Sequence, residues 1–185
     1  LDACTGCHAD LASAEEAAAH TRHDAGTASC LDCHMPRIVH GLSGMIRSHR
    51  ISSPADPSMI AGGWPNACNM CHLDKSVRWT IDALEAGWGA KPDLGGGFVA
   101  PEEPAGGMWL GSPEPIVRQV AADAYSRSPL GQAALPKVLQ ILMDESPPNR
   151  MFGVLAAERL LDRKIDVDVY APWAPPEVRK KQVQA

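Results

Sequence analysis

Three short cysteine motifs carry most of the chemistry that this sequence can perform. They read CTGCH, CLDCH and CNMCH, and they contain all six cysteines of the chain. Cys-x-x-Cys-His is the attachment signature of c-type haem, in which two thioether bonds hold the ring and the histidine ligates the iron. The motifs therefore predict three covalently bound haem c groups. The predicted attachment residues are Cys4, Cys7, Cys30, Cys33, Cys68 and Cys71. The predicted proximal ligands are His8, His34 and His72.

Other kinds of site use the same cysteine spacing. A single Cys-x-x-Cys pair also occurs in zinc sites and in redox dithiols, and six cysteines in an exported chain could form three disulfides. Each alternative accounts for one pair. None explains why histidine follows all three pairs at the same offset.

Four further histidines are available as distal ligands of the irons. All of them precede His72, and none follows it. Bis-histidine coordination predicts lower reduction potentials than methionine–histidine coordination, for which Met45 and Met59 are the alternative ligands. The candidate distal ligands, best first, are His49, His23, His20 and His40.

The segment that carries His20 and His23 is predicted to be a helix. Ser13 precedes Glu15 and Glu16, which is typical of an N-capped helix with acids in its first turn. Histidines three positions apart share a helical face, so one helix could offer ligands to two neighbouring irons. A zinc ion shared by the two imidazoles is the alternative.

The sequence around these motifs resembles multihaem c-type cytochromes of the group that includes tetrahaem cytochrome c-prime-like carriers, hydroxylamine oxidoreductase and pentahaem nitrite reductase. The resembling segments are HTRH before CLDCHMP, then RSHRI, then PNACNMCHLDKSVRWT, within roughly residues 1–90. The resemblance implies that His20, His23 and His49 are distal ligands. His40 is less usual for that pattern, and the chain lacks the CxxCK motif of the nitrite reductases.

The predicted fold is mainly α, with a haem-packed, loop-rich cytochrome domain followed by a small region of helical hairpins. The first part is poor in large apolar side chains, so buried haems are expected to supply much of its core. In the second part QVAADAY and GVLAAERL recur at a shift of about 35 residues, which indicates HEAT-like repeats. The predicted segments are a triheme domain at 1–86, a Gly/Pro-rich linker or wrapping loop at 87–112, a HEAT-like region at 113–165 and a Pro-rich tail at 166–185.

Electron transfer is the function that closely spaced haems predict, with no enzymatic activity expected. A multihaem oxidoreductase acting on a small nitrogen or sulfur compound is the alternative, and it requires an iron with an open distal face. The expected partners are redox proteins or neighbouring cytochrome subunits, including further copies in a homo-oligomer or filament. The net charge of -5 argues against a nucleic-acid partner.

The predicted location is the periplasm or the cell surface, because haem is normally attached covalently outside the cytoplasm. No signal peptide is visible before Cys4, so a processed chain is expected. No apolar run approaches the ~18 residues that a membrane span needs.

Overall fold

A computed structural model describes residues 2–184, and it confirms a mainly helical chain. Leu1 and Ala185, the outer bounds of the predicted segments, lie outside the described residues. The helices in this part of the chain are α1 Asp2–Thr5, α2 Ala14–Thr21, α3 Cys30–His34, α4 Pro57–Ala61, α5 Ala67–Cys71, α6 Val77–Trp88, α7 Ala105–Leu110, α8 Pro115–Arg127, α9 Gly131–Leu139, α10 Pro147–Leu161 and α11 Pro176–Gln184. One antiparallel hairpin joins β1 Val39–His40 to β2 Met45–Ile46, and 3-10 turns cover Ala9–Leu11 and Gln140–Met143.

The N-terminal part consists of short helices and loops with little core of its own. Among residues 3–44 only Pro36 is buried by protein atoms. A segment that buries so little apolar surface cannot offset the conformational entropy lost on ordering. Protein atoms alone therefore give residues 3–44 little core, and whether haem completes it stays a prediction.

The protein core lies in the C-terminal part, where α8 packs against α7 and α10. Small residues of α8, such as Ala121 and Ala122, are fully buried and allow its neighbours to approach closely. The buried Asp123 carboxylate pairs with Arg127 at 2.8 Å and with Arg159 at 3.3 Å. Helices α8 and α10 lie in the segment predicted to be HEAT-like, and the repeat assignment itself stays a prediction.

Helix α6 follows the third motif and buries Val77, Thr80 and Leu84. The hydroxyl of Ser76 accepts a hydrogen bond from the backbone N–H of Trp79 and caps its first turn. The helix ends at Trp88, and the following Gly89 adopts a left-handed conformation with φ 63°.

Helix α7 lies within the segment predicted to be a linker or wrapping loop. Backbone N–H groups of Ala105 and Gly106 donate to the carbonyls of Lys75 and Leu73. A Cβ at Gly106 would lie 2.6 Å from the Tyr125 hydroxyl, so a side chain at this position cannot fit without displacing α8.

The Pro-rich tail packs along the C-terminal helices. The Arg150 guanidinium donates to the Pro172 carbonyl at 2.6 Å, and the Tyr170 hydroxyl donates to the Leu142 carbonyl. Helix α11 then packs against the 3-10 turn Gln140–Met143. Within the described residues, every helix is too short or too polar to span a membrane.

Candidate haem-binding sites

Each cysteine motif folds into a single helical turn. The N–H of His8 donates to the carbonyl of Cys4 at 2.9 Å, and the N–H of His72 donates to that of Cys68 at the same distance. The second motif is itself α3. All six cysteines are free thiols, as thioether formation requires.

The second motif is fixed by its own inner residue, Asp32. The backbone N–H and the hydroxyl of Ser29 both donate to this carboxylate, at 2.9 and 2.6 Å. Arg47 pairs with the same carboxylate at 2.6 Å and donates to the Leu31 carbonyl at 2.6 Å. Burial alone would raise the pKa of Asp32, but the bonds from Ser29 and Arg47 outweigh it and lower the pKa below its usual value.

The third motif is fixed by Asn69, whose side chain is completely buried. Its amide nitrogen donates to the carbonyls of His72 at 3.2 Å and Lys75 at 3.0 Å. Its oxygen accepts from the Asn66 amide at 2.9 Å and from the Thr80 hydroxyl at 2.7 Å. One side chain thus ties the motif to the start of α6.

The ring of His20 lies opposite the proximal histidine of the second motif. The imidazole centroids of His20 and His34 are 6.3 Å apart, and their planes differ by 13°. Metal–imidazole bonds of about 2 Å, with each nitrogen about 1 Å from its ring centroid, put two trans imidazole centroids roughly 6 Å apart. The centroid separation of this pair is close to that value.

His23 stands in the same relation to the third motif. The imidazole centroids of His23 and His72 are 6.0 Å apart, with planes at 32°. Trp79 lies against His72, with ring centroids 4.8 Å apart. Burial, followed by the nearby His23, lowers the pKa of His72, which favours the neutral imidazole that a metal requires.

Hydrogen bonds at Nδ1 prepare members of both pairs for ligation. The Nδ1 of His34 lies 2.8 Å from the Ser52 carbonyl, and that of His23 lies 2.6 Å from the Thr21 carbonyl. Because a carbonyl only accepts, each Nδ1 must carry the proton, which leaves the lone pair on Nε2. Metal-ligating histidines commonly make such an outer bond.

The helix that carries His20 begins as predicted but ends earlier. Ser13 and Glu16 form a reciprocal capping box at its start. The helix ends at Thr21, and Arg22 then adopts a left-handed conformation with φ 58°. The prediction that His20 and His23 share one helical face is therefore wrong, because Arg22 turns His23 out of the helix and toward the third motif.

Two hydrogen bonds fix the end of this helix to the end of α6. The Trp88 indole N–H donates to the carbonyl of His20 at 2.7 Å. The Arg22 guanidinium donates to the carbonyl of Gly87 at 3.0 Å. Since α6 starts next to the third motif, these two hydrogen bonds connect the segment of His20 and His23 to the helix that follows that motif.

The second and third motifs lie next to each other, because α3 contacts α5. Burial, with smaller contributions from Cys33 and Cys71, raises the pKa of the Cys68 thiol to about 11. Burial likewise raises the pKa of Cys33, with charge effects from Asp32 and Cys71. The cysteines that would attach the two rings thus lie close enough to influence each other's ionisation.

Comparison with known proteins gives one match. Residues 15–84 match the family model of cytochrome c552. The matched segment contains the second and third motifs and all four candidate distal histidines, whereas the first motif lies outside it. The match supports a multihaem c-type cytochrome with covalently bound haem and favours an electron-carrying role. The searches of curated proteins and of solved structures found no match to the chain.

The remaining candidate ligands are separate from these two pairs. His8 and His49 are exposed, and among the described residues neither ring is paired with another imidazole. His40 lies in the hairpin and contacts Phe152 of α10. Met45 is 1% exposed within the protein core, and Met59 lines an apolar groove beside α8.

Sequence reasoning missed several residues that position the histidines. The inner motif residues Asp32 and Asn69 lie at positions that the Cys-x-x-Cys-His pattern leaves unspecified. Trp88 was assigned to the linker, and the Ser52 carbonyl carries no sequence signal. The polar character of Asn69, between the apolar Met70 and Ala67, was the one available sign of a buried hydrogen-bonding role.

Proposed function

We propose that this protein is a triheme c-type cytochrome that carries electrons along closely spaced haems with mostly bis-histidine ligation. The observation that carries the proposal is the pair of imidazole separations, 6.3 Å for His20–His34 and 6.0 Å for His23–His72. Histidines scattered at random over the surface would not be expected at this separation from the histidines of two Cys-x-x-Cys-His motifs.

The residues of each site have distinct roles in this proposal. When bound, haem iron supplies one-electron uptake and release. The cysteines would hold each ring in place, and each pair of imidazoles would ligate one iron, which would exclude substrate from it. The carbonyls of Ser52 and Thr21 orient the imidazoles of His34 and His23. Such ligation favours a low reduction potential.

The short path between the second and third sites supports electron exchange. Helices α3 and α5 are in contact, and HTRH supplies a candidate distal ligand to each site. Electron carriers need closely spaced centres held in a fixed geometry, and the hydrogen bond from Trp88 to His20 provides that rigidity.

Intact mass and haem absorption together test the proposal. The matured chain should carry the added mass of three haem groups under denaturing conditions, and Cys30→Ser with Cys33→Ser should remove one of them. Reductive titration should then take up one electron per haem without added substrate. A mature chain that carries no covalent haem, or disulfides in its place, would contradict the proposal.

The unpaired position of His8 favours one alternative, a multihaem oxidoreductase acting on a small nitrogen or sulfur compound. This reaction class needs an iron with an open axial position, and His8 has no imidazole partner among the described residues. Carbon monoxide binding to the reduced protein separates the two functions. Electron transfer alone predicts no CO-induced spectral change, and an open catalytic iron predicts one CO per chain.

The proposed location is the periplasm or the cell surface, where haem is attached covalently. The proposed partners are redox proteins or neighbouring cytochrome subunits. The exposed first motif would place one haem near the surface, where a partner can approach. Protease accessibility of the protein in intact cells tests the location.

A further inference from the structure

His40 is the candidate ligand whose surroundings the sequence did not explain. It pairs with Met45 across the hairpin, and the two side chains face the C-terminal helices. Met45 packs against Val120 and Phe152. The ring of His40 lies 4.5 Å from that of Phe152, centroid to centroid. The helices therefore hold the His40 ring even though the residue remains exposed.

A buried hydrogen-bond relay determines which nitrogen of His40 carries the proton. The side chain of Asn149 is fully buried, and its nitrogen donates to the Pro115 carbonyl and to Asp144, both at 2.9 Å. Because both partners are acceptors, the Asn149 oxygen must face the Gln119 amide nitrogen, 2.6 Å away. The Gln119 oxygen then faces Nδ1 of His40 at 3.1 Å.

The relay continues to an ion pair that anchors it. Arg118 donates two hydrogen bonds to Asp144, at 2.6 and 3.0 Å. A bidentate guanidinium–carboxylate pair has a defined geometry, so Asp144 is itself held in place. The hydrogen bonds therefore run from Arg118 through Asp144, Asn149 and Gln119 to His40. Only one orientation of the Asn149 and Gln119 side-chain amides satisfies all of them.

The consequence is an imidazole prepared for a metal. The Gln119 oxygen only accepts, so Nδ1 of His40 donates the proton and Nε2 keeps its lone pair. His34 and His23 show the same pattern with the carbonyls of Ser52 and Thr21. The exposed ring of His49, in contrast, has no hydrogen-bond partner within the described part of the chain.

We propose that His40 is the distal ligand of the haem attached at Cys4 and Cys7, and that Gln119 is its positioning residue. This rests on the proposed function, because it requires the first motif to carry haem. In the proposed function His20 and His23 would ligate the irons held by His34 and His72, so the iron held by His8 is the one left without a distal ligand. That iron belongs either to the same chain or to a second copy, and the chemistry is the same in both cases.

The deciding variant is His40→Gln, with His49→Gln as its matched control. The glutamine amide can still donate to Gln119, so the hairpin stays docked while the ligating nitrogen is lost. Near-infrared magnetic circular dichroism of the ferric protein should show loss of one bis-histidine iron in three for His40→Gln and none for His49→Gln. Added imidazole should restore the lost signal.

Dilution of the wild-type protein distinguishes ligation of a haem in the same chain from ligation of a haem in a second copy. Ligation within one chain predicts a spectrum that does not change with concentration. Ligation between copies predicts that one third of the bis-histidine signal is lost as the dimer dissociates. Mass photometry measures that dissociation. In both cases the signal in question is the one that His40→Gln removes, so both results support His40 as the ligand.

A Gln119 variant tests the positioning role. Gln119→Leu removes the acceptor and should make the His8 iron accessible to carbon monoxide, and added imidazole should close it again. An unchanged His40→Gln spectrum in haem-loaded protein would overturn the inference while leaving the proposed function intact. Protein without covalent haem would instead overturn the proposed function.

Discussion

Replacement of Asn69 by alanine tests how the third motif is held. Four hydrogen bonds would be lost, to the carbonyls of His72 and Lys75, the Thr80 hydroxyl and the Asn66 amide. A net contribution of about 1 kcal/mol for each bond gives a loss of about 4 kcal/mol in the free energy of unfolding. For a chain of this size, that loss lowers Tm by roughly 8–16 °C.

Thermal unfolding of the haem-loaded protein, followed by far-ultraviolet circular dichroism, measures this loss. Thr5→Ala is the matched control, because Thr5 occupies the same position in the first motif and its side chain makes no hydrogen bond in the described structure. The control should change the free energy of unfolding by less than about 0.5 kcal/mol. A Tm for Asn69→Ala equal to that of the control would refute the role of Asn69.

Three further predictions follow from the sites and the core. His20→Ala should open the iron of His34 to carbon monoxide and leave that of His72 unchanged, which a titration of the reduced protein measures. Burial alone would raise the pKa of Asp144, but bonds from Arg118 and others lower it. The ionised Asp144 carboxylate therefore stabilises the fold at pH values above the usual aspartate pKa. This contribution is lost as the pH falls through the lower pKa of the folded state. In thermal melts, Asp144→Asn should reduce the loss of Tm at acid pH. A chain with all six cysteines replaced by serine should lose the far-ultraviolet helical signal of its N-terminal half and keep that of the C-terminal helices; a fully folded haem-free chain would show that haem does not complete the core.

The sequence predicted the chemistry of the sites better than their geometry. Cysteine and histidine spacing is local, so three Cys-x-x-Cys-His motifs predict candidate proximal ligands without any knowledge of the fold. The mainly helical class followed from capping residues and apolar periodicity in the same way. The partners of His34 and His72 depend on contacts between distant segments, and spacing alone only narrowed them to four histidines.

Residues that act through the backbone were the hardest to predict. The helix was expected to reach His23, but the left-handed Arg22 ends it, and that residue is held by a bond to Gly87 that lies 65 positions away. The Ser52 carbonyl orients His34 through a group that every residue has. Gln119 accepts a hydrogen bond from His40 only because Asn149 fixes the orientation of the Gln119 amide. No local sequence pattern predicts this series of hydrogen bonds.

Axial ligation of the ferric irons tests the central claim most directly. Near-infrared magnetic circular dichroism distinguishes bis-histidine iron from methionine–histidine and from open, high-spin iron. We expect at least two bis-histidine irons per chain, corresponding to the pairs His20–His34 and His23–His72. A spectrum with fewer than two would contradict the account.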